Sequence, residues 1–326
     1  MTAKTAFLPL ASGFPDLVGH HRNLLDDDVR TKTFVRAIQK VVERGDVVAD
    51  LGAGTGVLSI AARRAGAKKV YAIERGPIAR VGEALTTENG VSGIEWIEKF
   101  SRDVVLPQDV DVIVSECFGV LAAGGTMLQA VDDLRQRHLR KGGKVIPRSA
   151  SIFAAPVEAP ADHRWVSRWK EKRHGMTFRA AADLAWNNMY NATFLPRALR
   201  SAPVPIADVD FATGWFAGAA VSKIARAGTV HGLAVWFVAD LAPGVTLSTA
   251  PGKRSTAWNQ VFLAFERPIR VRRGTDFTIA LRMEPATIER HVAYLDWSGA
   301  IGGTTFEGST RQSYPRRGSS DLVRSS

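Results

Sequence analysis

The segment from residue 47 to residue 74 combines two carboxylates with a run of glycines. Asp50 ends a short apolar run, and Glu74 ends a second one. Between them the loop contains three glycines at alternate positions: Gly52, Gly54 and Gly56. Glycine lets the backbone approach a ligand closely and adopt a positive φ. A carboxylate at the position of Glu74 can accept two strong hydrogen bonds from the hydroxyls of a ribose. The segment therefore predicts a nucleotide-binding site.

Two strands and a helix are needed to position these residues, and the sequence predicts them in that order. β-type runs cover residues 47–49 and 69–73, and an Ala-rich helical pattern begins at Val57. Strand, glycine turn, helix, strand and acid together are typical of a nucleotide-binding βαβ unit. The GxGxG spacing resembles motif I of S-adenosylmethionine-dependent methyltransferases, whereas dinucleotide sites have GxGxxG. A βα turn with a purely structural role is the alternative.

Further candidate residues lie beside this unit. We expect an irregular arm over residues 1–19 and a helix from Leu24, with His21 and Arg30 folded back over the glycine loop. A cation there could hold the carboxylate of an amino-acid ligand. A polar turn after the third strand contains Asp103, which is expected beside an adenine ring. Residues 144–146 form the predicted fifth strand, and Pro147 ends this doubly wound half.

Glu116 ends the fourth predicted strand, where open α/β sheets bind ligands. It is a candidate hydrogen-bond acceptor or general base for a substrate; a capping or solvated acid is the alternative. Its neighbour Cys117 is interpreted as a packing residue, because a carboxylate nearby raises the pKa of a thiol and suppresses the thiolate. One cysteine and histidines without ligand spacing predict no metal site.

The composition limits the class of protein. A chain of 326 residues is long enough for two domains with separate cores. Its content of 45% hydrophobic and 23% charged residues is that of an ordinary globular protein. No apolar run approaches the roughly 20 residues of a membrane span. A single cysteine excludes an internal disulfide and favours the cytoplasm. The net charge of +11 is compatible with nucleic acid, an acidic membrane surface or an acidic substrate, and a solvated basic surface is favoured over nucleic-acid binding.

The second half of the chain has a different pattern. Residues 161–200 contain Trp165, Trp169 and Trp186 among arginines and lysines. This pattern is compatible with a nucleic-acid platform or with helices that pack on a partner. From residue 208 onward, alternating apolar runs separated by Gly and Pro predict an antiparallel sandwich or barrel. The tail after Phe306 is rich in Ser, Arg and Gly, and disorder is expected there.

The order of these parts resembles the protein arginine methyltransferases over about residues 18–300. The resemblance is carried by His21 and by several stretches. They are 25–31 (LDDDVRT), the glycine loop, 65–70 (AGAKKV, shortly before Glu74), 110–116 (VDVIVSE), and the barrel stretches 231–237 and 256–258. The resemblance implies an α/β, doubly wound Rossmann-like domain followed by an antiparallel β-barrel. It divides the chain into an N-terminal arm and helix (1–45), a cofactor domain (46–148), a barrel domain (149–306) with a dimerisation arm at about 161–200, and a tail (307–326).

The resemblance also implies S-adenosylmethionine as the cofactor and a homodimer. The implied cofactor contacts are His21, Arg30, Asp50, Gly52, Gly54, Gly56, Glu74 and Asp103, and the implied catalytic residues are Glu116 and Trp258.

The departures from that family affect the acceptor side. The family holds a guanidinium between two glutamates nine positions apart, and the position nine residues after Glu116 is Gly125. Its barrel loop has a histidine where this chain has Ala257, and Pro15 stands where a tyrosine is expected. We therefore expect a methyltransferase acting on a non-arginine acceptor, a small molecule or a peptide. The alternatives are a cofactor-binding pseudoenzyme, an arginine methyltransferase with a degenerate site, and a nucleic-acid methyltransferase.

Overall fold

The structure of the chain, a computed structural model, describes residues 17–116, 118–123, 127–287 and 292–311. Its first half is a parallel sheet with helices. The strands are β1 (Val47–Leu51), β2 (Lys69–Ile73), β3 (Ile94–Ile97), β4 (Val110–Val114) and β5 (Leu139–Ile146). The helices are α1 (Leu17–Asp26), α2 (Asp28–Val41), α3 (Val57–Ala65), α4 (Ile78–Glu88) and α5 (Met127–His138).

The strand order of the sheet is β3-β2-β1-β4-β5, and every pairing is parallel. All five residues of β1 are buried, as expected for a central strand covered on both faces. The chain reverses its direction of winding between β1 and β4, and ligands of open α/β sheets bind at such a switch point. The predicted doubly wound domain is confirmed, and the carboxyl ends of β1, β2 and β4 meet at one edge.

Two predicted boundaries differ from the structure. Helix α1 already begins at Leu17, inside the segment 1–19 that was expected to be irregular; residues 1–16 lie outside the described part. Strand β5 begins at Leu139, five residues before the start of the predicted fifth strand at residue 144. Gly142 has a φ of +77°, and the β4–β5 register shifts between Val110 and Val112. An irregularity of this kind lets a strand continue past a glycine pair.

The second half consists of antiparallel sheets. Its strands are β6 (Ser149–Val157), β7 (Tyr190–Ala192), β8 (Val204–Asp208), β9 (Phe216–Lys223), β10 (Gly228–Ala242), β11 (Val245–Ser248), β12 (Gln260–Val271), β13 (Asp276–Thr287), β14 (Val292–Ile301) and β15 (Thr304–Ser309). One sheet has the order β7-β12-β10-β6-β8 with β11 paired to β10, and the other has the order β15-β14-β13-β9. Buried side chains of both, such as Phe237 and Leu281, belong to one apolar cluster. The predicted antiparallel barrel domain is confirmed.

Helices α6 (Pro160–Ser167) and α7 (Arg179–Trp186) form the segment between β6 and β7. The side chains of Trp165 and Trp169 are 59% and 44% exposed, whereas Trp186 is 7% exposed and belongs to an apolar cluster with barrel residues. Trp186 therefore packs within the barrel domain, whereas Trp165 and Trp169 are exposed on the segment predicted to be the dimerisation arm. Its indole packs against the His163 ring and the Lys170 ammonium.

The chain remains ordered for several residues beyond Phe306. Strand β15 extends to Ser309, and Arg311 forms ion pairs with Asp296 and Glu284. The expected disorder from residue 307 is therefore wrong for residues 307–311, because β14 supplies a paired edge. Residues 312–326 lie outside the described part. Within the described ranges, no helix is long and apolar enough to cross a membrane.

Candidate functional site

A cavity of about 530 Å³ lies at the carboxyl edge of the parallel sheet, between α1 and a loop of the barrel. Its wall includes residues His20, His21, Leu24, Leu51, Gly52, Ile73, Glu74, Arg75, Lys99, Phe100, Ser101, Glu116, Phe118, Ala130, Ala257 and Trp258. Five of the predicted site residues are in this set: His21, Gly52, Glu74, Glu116 and Trp258. A larger cavity of about 770 Å³ lies beside β13, β14 and β15 and contains no predicted site residue.

Glu74 lies at the end of β2 with its carboxylate on the cavity wall. One oxygen accepts a hydrogen bond from the Gly54 amide at 3.1 Å, and the other accepts one from the Gly76 amide at 2.7 Å. These bonds hold the carboxylate in one orientation. Each carboxylate oxygen has a second lone-pair site, so Glu74 can still accept hydrogen bonds from two hydroxyls.

The glycines of the loop have steric reasons to be glycines. A Cβ at Gly54 would lie 3.0 Å from Cε1 of His21, so the absence of a side chain lets α1 close on the loop. A Cβ at Gly56 would lie 2.8 Å from the Trp96 ring, and Gly56 caps α3 with a φ of +78°. Neither residue belongs to the cavity wall; they shape it from behind.

Asp50 is buried behind the glycine loop, with 1% of its surface exposed. Its Oδ2 accepts a hydrogen bond from the Ser59 hydroxyl at 2.6 Å, and its Oδ1 is without a partner in the described structure. Burial, opposed by the Ser59 hydrogen bonds and assisted by the charge of Glu74, raises the pKa of Asp50 to about 7. Asp50 is therefore a support of the loop and is not in the cavity wall.

Arg30 and Glu116 form an ion pair whose side chains are 8% and 9% exposed. Arg30 comes from the first turns of α2, and Glu116 follows β4. The sequence predicted that each would face a ligand, but it did not predict that they would contact each other. Arg30 is not in the cavity wall. It lies behind Glu116, which is part of the wall.

The barrel loop closes the cavity from above. The Ala257 amide donates a hydrogen bond to Asp27 Oδ2 at 2.7 Å, and Asp27 also caps α2 by accepting from the Arg30 amide at 3.0 Å. The Trp258 indole N–H donates to the Phe118 carbonyl at 3.2 Å. One carboxylate thus connects the start of α2 with the barrel loop. The sequence did not predict this role of Asp27; the acidic run at the start of a predicted helix was the available signal.

The turn after β3 presents Ser101, and Asp103 lies away from the cavity. The Asp103 side chain is 60% exposed and lies 3.9 Å from Arg102. Phe100, which the sequence analysis missed, is 49% exposed and lines the cavity. Its ring has the guanidinium of Arg75 at 5.4 Å from its centroid, close enough for a cation–π contact. The only sequence signal for Phe100 was its place beside the polar turn.

His21 is the one predicted cavity residue with a lowered pKa. Burial lowers the pKa of His21 most, the charges of His20 and Arg30 lower it further, and Glu74 opposes them. The imidazole is therefore uncharged near neutral pH, and it can both donate and accept a hydrogen bond. Cys117 and Gly125, which the sequence analysis also discussed, lie outside the described residues.

S-adenosylmethionine fits the residues of this cavity. The volume is within the range of about 300–1,000 Å³ that is common for small-molecule sites. Glu74 offers acceptors for ribose hydroxyls, and Phe100 offers an exposed ring face. The imidazole of His21 can donate a hydrogen bond to a ligand carboxylate. When bound, the cofactor supplies an electrophilic methyl group.

Two family models match consecutive parts of the chain. The family model for the arginine methyltransferase oligomerization subdomain matches residues 148–297, and the model for ribosomal protein L11 methyltransferase (PrmA) matches residues 28–149. The chain is 30% identical over 307 residues to protein arginine N-methyltransferase 6 of Xenopus laevis, covering 88% of this chain and 89% of that protein. It is 31% identical to the probable histone-arginine methyltransferase CARM1 of Oryza sativa subsp. indica, covering 87% of this chain and 58% of that protein.

Solved structures agree on the fold. The chain superposes with a TM-score of 0.82 on a chain of the Trypanosoma brucei PRMT1 enzyme-prozyme heterotetrameric complex with AdoHcy, at 23% identity, covering 90% of this chain and 98% of that one. Protein arginine methyltransferase 10 of Arabidopsis thaliana gives a TM-score of 0.76 at 23% identity, with 90% and 97% covered. The identity to the Xenopus enzyme over most of both chains, with the family models, shows that the chain belongs to the protein arginine methyltransferase family and is an S-adenosylmethionine-dependent methyltransferase.

Proposed function

We propose that this methyltransferase transfers the methyl group to an acceptor that is not a guanidinium, either a small molecule or a peptide. The buried ion pair between Arg30 and Glu116 carries the proposal. A guanidinium is bound best by carboxylates that have no other cation to neutralise them. The one acceptor-side glutamate of this chain already has a cation, and Gly125 stands where a second would be required.

The charges of the described cavity wall support this proposal. Glu74 and Glu116 are its acids, and Arg75 and Lys99 are its bases; Arg30 adds a further positive charge behind Glu116. The wall therefore has no excess of negative charge to offer a cationic acceptor. A neutral acceptor brings no charge that must be paired in the cavity, and an anionic one can pair with Arg75 or Lys99.

The barrel loop supports the same conclusion. Ala257 offers only a methyl group, and its amide is already bonded to Asp27. The Trp258 indole is directed to the Phe118 carbonyl, so it contributes a wall and no free donor. Neither residue can replace the imidazole that the resemblance led us to expect at position 257.

In this mechanism the chain positions the acceptor more than it activates it. Glu116 accepts a hydrogen bond, or the proton, from the acceptor atom, and Arg30 holds the Glu116 carboxylate in place. Trp258 and Phe118 form an apolar wall that limits access of water. Aligning the two reactants can supply most of the acceleration, because a well-oriented pair reacts as if within one molecule.

We assign the cofactor contacts to His21, Gly52 and Glu74; Arg30 lies behind the cavity wall and holds Glu116, and Asp50, Gly54 and Gly56 shape the loop. In the turn after β3, Ser101 is a better candidate than Asp103 for the cofactor contact, because Ser101 lines the cavity and Asp103 does not.

The second candidate function is binding of the cofactor without catalysis. The same observation favours it, because the only loop glutamate is already neutralised by Arg30. One of the structural neighbours is an enzyme-prozyme complex, so a non-catalytic role is worth testing for this chain. An arginine methyltransferase with a degenerate site is the third possibility, and it requires that Glu116 alone can bind a guanidinium.

A test of the proposal measures release of S-adenosylhomocysteine in the presence of fractionated lysate, followed by assays on the acceptor that is found. Glu116→Gln keeps the shape and loses the charge, so kcat should fall by roughly 10²–10⁴-fold while the Kd for the cofactor changes little. Glu88→Gln, on the exposed side of α4, is the matched control. Full activity of Glu116→Gln would contradict the role given to Glu116. Absence of release on every fraction would favour the non-catalytic candidate.

We also infer that the protein is a homodimer that uses the segment between β6 and β7. Two observations support this: the match to an oligomerization subdomain, and the exposure of Trp165 and Trp169, since aromatic side chains are enriched in interface cores. Light scattering at micromolar concentration should give twice the 35.3 kDa of one chain. A single species of 35.3 kDa would count against the dimer.

A further inference from the structure

Seven basic side chains of the barrel domain lie in loops that contact one another, although they are far apart in sequence. They are Arg197, Arg200, Arg226, Lys253, Arg254, Arg272 and Arg273, and we call them the basic track. Six of the seven are exposed, and Arg200 is half-buried. The sequence favoured a solvated basic surface; the fold collects seven of the 43 lysines and arginines on one series of loops.

The track begins at the cavity. Ala257 and Trp258 form part of the cavity wall, and Arg254 lies three residues before Ala257. Arg254 also lies near the start of α2, since its charge contributes to the lowered pKa of Asp28, after the larger effects of the hydrogen bond and charge of Lys32. The first basic side chain of the track therefore belongs to the barrel loop that supplies Ala257 and Trp258 to the cavity wall.

The loop containing Lys253 touches the next part of the track. A Cβ at Gly252 would lie 2.5 Å from Cγ of Pro196, so this loop and the short helix Pro196–Ala198 are in close contact. Arg197 is exposed on that short helix. The side chain of Leu195, directly before it, is 50% exposed and adds an apolar contact site.

The remaining loops are held together by hydrogen bonds. Arg226 Nη2 donates to the Pro196 carbonyl at 2.8 Å, and the Ala225 amide donates to the Arg200 carbonyl at 2.8 Å. The turn that contains Arg272 and Arg273 is bonded to the same region, because the Gly274 amide donates to the Ile224 carbonyl at 2.8 Å. The backbone thus fixes the spacing of these side chains, and the track is built into the fold.

The charge of the track is almost unbalanced. Arg200 is paired with Glu158 at 2.8 Å, and in the part of the chain that the structure describes this is the one ion pair of the seven residues. Clustered cations of one sign attract a polyanion and raise its rate of association. Arginines in particular bind carboxylates and phosphates through paired hydrogen bonds.

The surroundings favour a polypeptide over a nucleic acid. Proteins that bind single-stranded nucleic acid place aromatic rings for the bases to stack on. The exposed aromatic side chains of the described ranges are Phe100, Trp165 and Trp169, and none is on the track. Leu195 offers an apolar contact that suits a side chain of a peptide. We propose that an acidic polypeptide segment binds along the basic track and delivers its acceptor group to the cavity; the delivery step rests on the function proposed above.

The test measures binding without cofactor, so it is independent of methylation. A fluorescein-labelled Asp/Glu-rich peptide is titrated with the full chain, and an oligouridylate of equal charge is the comparison probe. The track variant carries Arg197→Glu, Arg272→Glu and Arg273→Glu. The control variant carries Arg64→Glu, Lys68→Glu and Lys141→Glu, three exposed sites on the parallel-sheet domain with the same change in net charge. Thermal unfolding and cofactor binding confirm that both variants fold.

We expect peptide affinity to fall about tenfold or more in the track variant and to change little in the control. Binding should also weaken with added salt. Equal loss in both variants, or no binding of the peptide to the wild type, would overturn the proposal. Tighter binding of the oligouridylate than of the peptide would overturn it in favour of nucleic acid. If the protein forms methylarginine while the peptide still binds through the track, only the proposed acceptor is refuted.

Discussion

Removing one partner of the buried Arg30–Glu116 pair should destabilise the protein strongly. Both side chains are less than a tenth exposed, so Arg30→Met leaves a carboxylate buried without its cation. Breaking such a pair costs about 3–5 kcal/mol. With an unfolding entropy of about 2.1 cal/mol/K per residue, the lower figure corresponds to a fall in Tm of about 4 °C for a chain of 326 residues. Scanning fluorimetry at moderate salt measures it directly.

A double-mutant cycle separates the pair from other contacts of Arg30. Arg30→Met together with Glu116→Gln leaves no charge, so the double variant should be more stable than the sum of the two single changes predicts, by about 1 kcal/mol or more. Lys223→Met provides the control, because its pair with Asp276 has side chains 68% and 72% exposed and should contribute less than about 1 kcal/mol. A Tm change for Arg30→Met no larger than that of Lys223→Met would refute the reasoning.

Two further predictions concern the cofactor loop. Glu74→Ala should weaken S-adenosylmethionine binding by about 1–3 kcal/mol in calorimetry, because ribose hydroxyls lose their acceptor, and Glu88→Ala should leave binding unchanged. Asp50 has its pKa raised from 3.8 to about 7, so the native chain keeps a proton that the unfolded chain releases, and the contribution of Asp50 to stability is lost as pH rises toward 7. Asp50→Asn should therefore gain stability relative to wild type as the pH rises from about 4 to about 7, by up to about 1.4 kcal/mol per pH unit; a pH-independent difference in urea unfolding would contradict this.

The sequence was informative where the signal is local. The βαβ unit could be predicted because Asp50, the glycines and Glu74 follow each other at fixed spacing along a strand, a turn and a strand. The barrel strands could be predicted from alternation, because one face of each strand is buried. The start of α1 could not be predicted, because Pro15 and Gly19 are typical of an irregular segment.

The contacts that decide the chemistry join residues far apart in the chain. Asp27 accepts from the Ala257 amide across 230 positions, and Arg30 reaches Glu116 from a different element. The hydrophobic periodicity of a sequence does not indicate such pairs. Composition also does not distinguish an exposed tryptophan such as Trp165 from a buried one such as Trp186.

The acceptor is the central claim, and methylarginine is the product that tests it most directly. Arginine-rich peptides are incubated with isotopically labelled S-adenosylmethionine and the protein, hydrolysed, and analysed by mass spectrometry. We predict no methylarginine for wild type, and none for Gly125→Glu, because Ala257 still lacks an imidazole and Arg30 still neutralises Glu116. Robust formation of methylarginine by the wild-type protein would contradict the account.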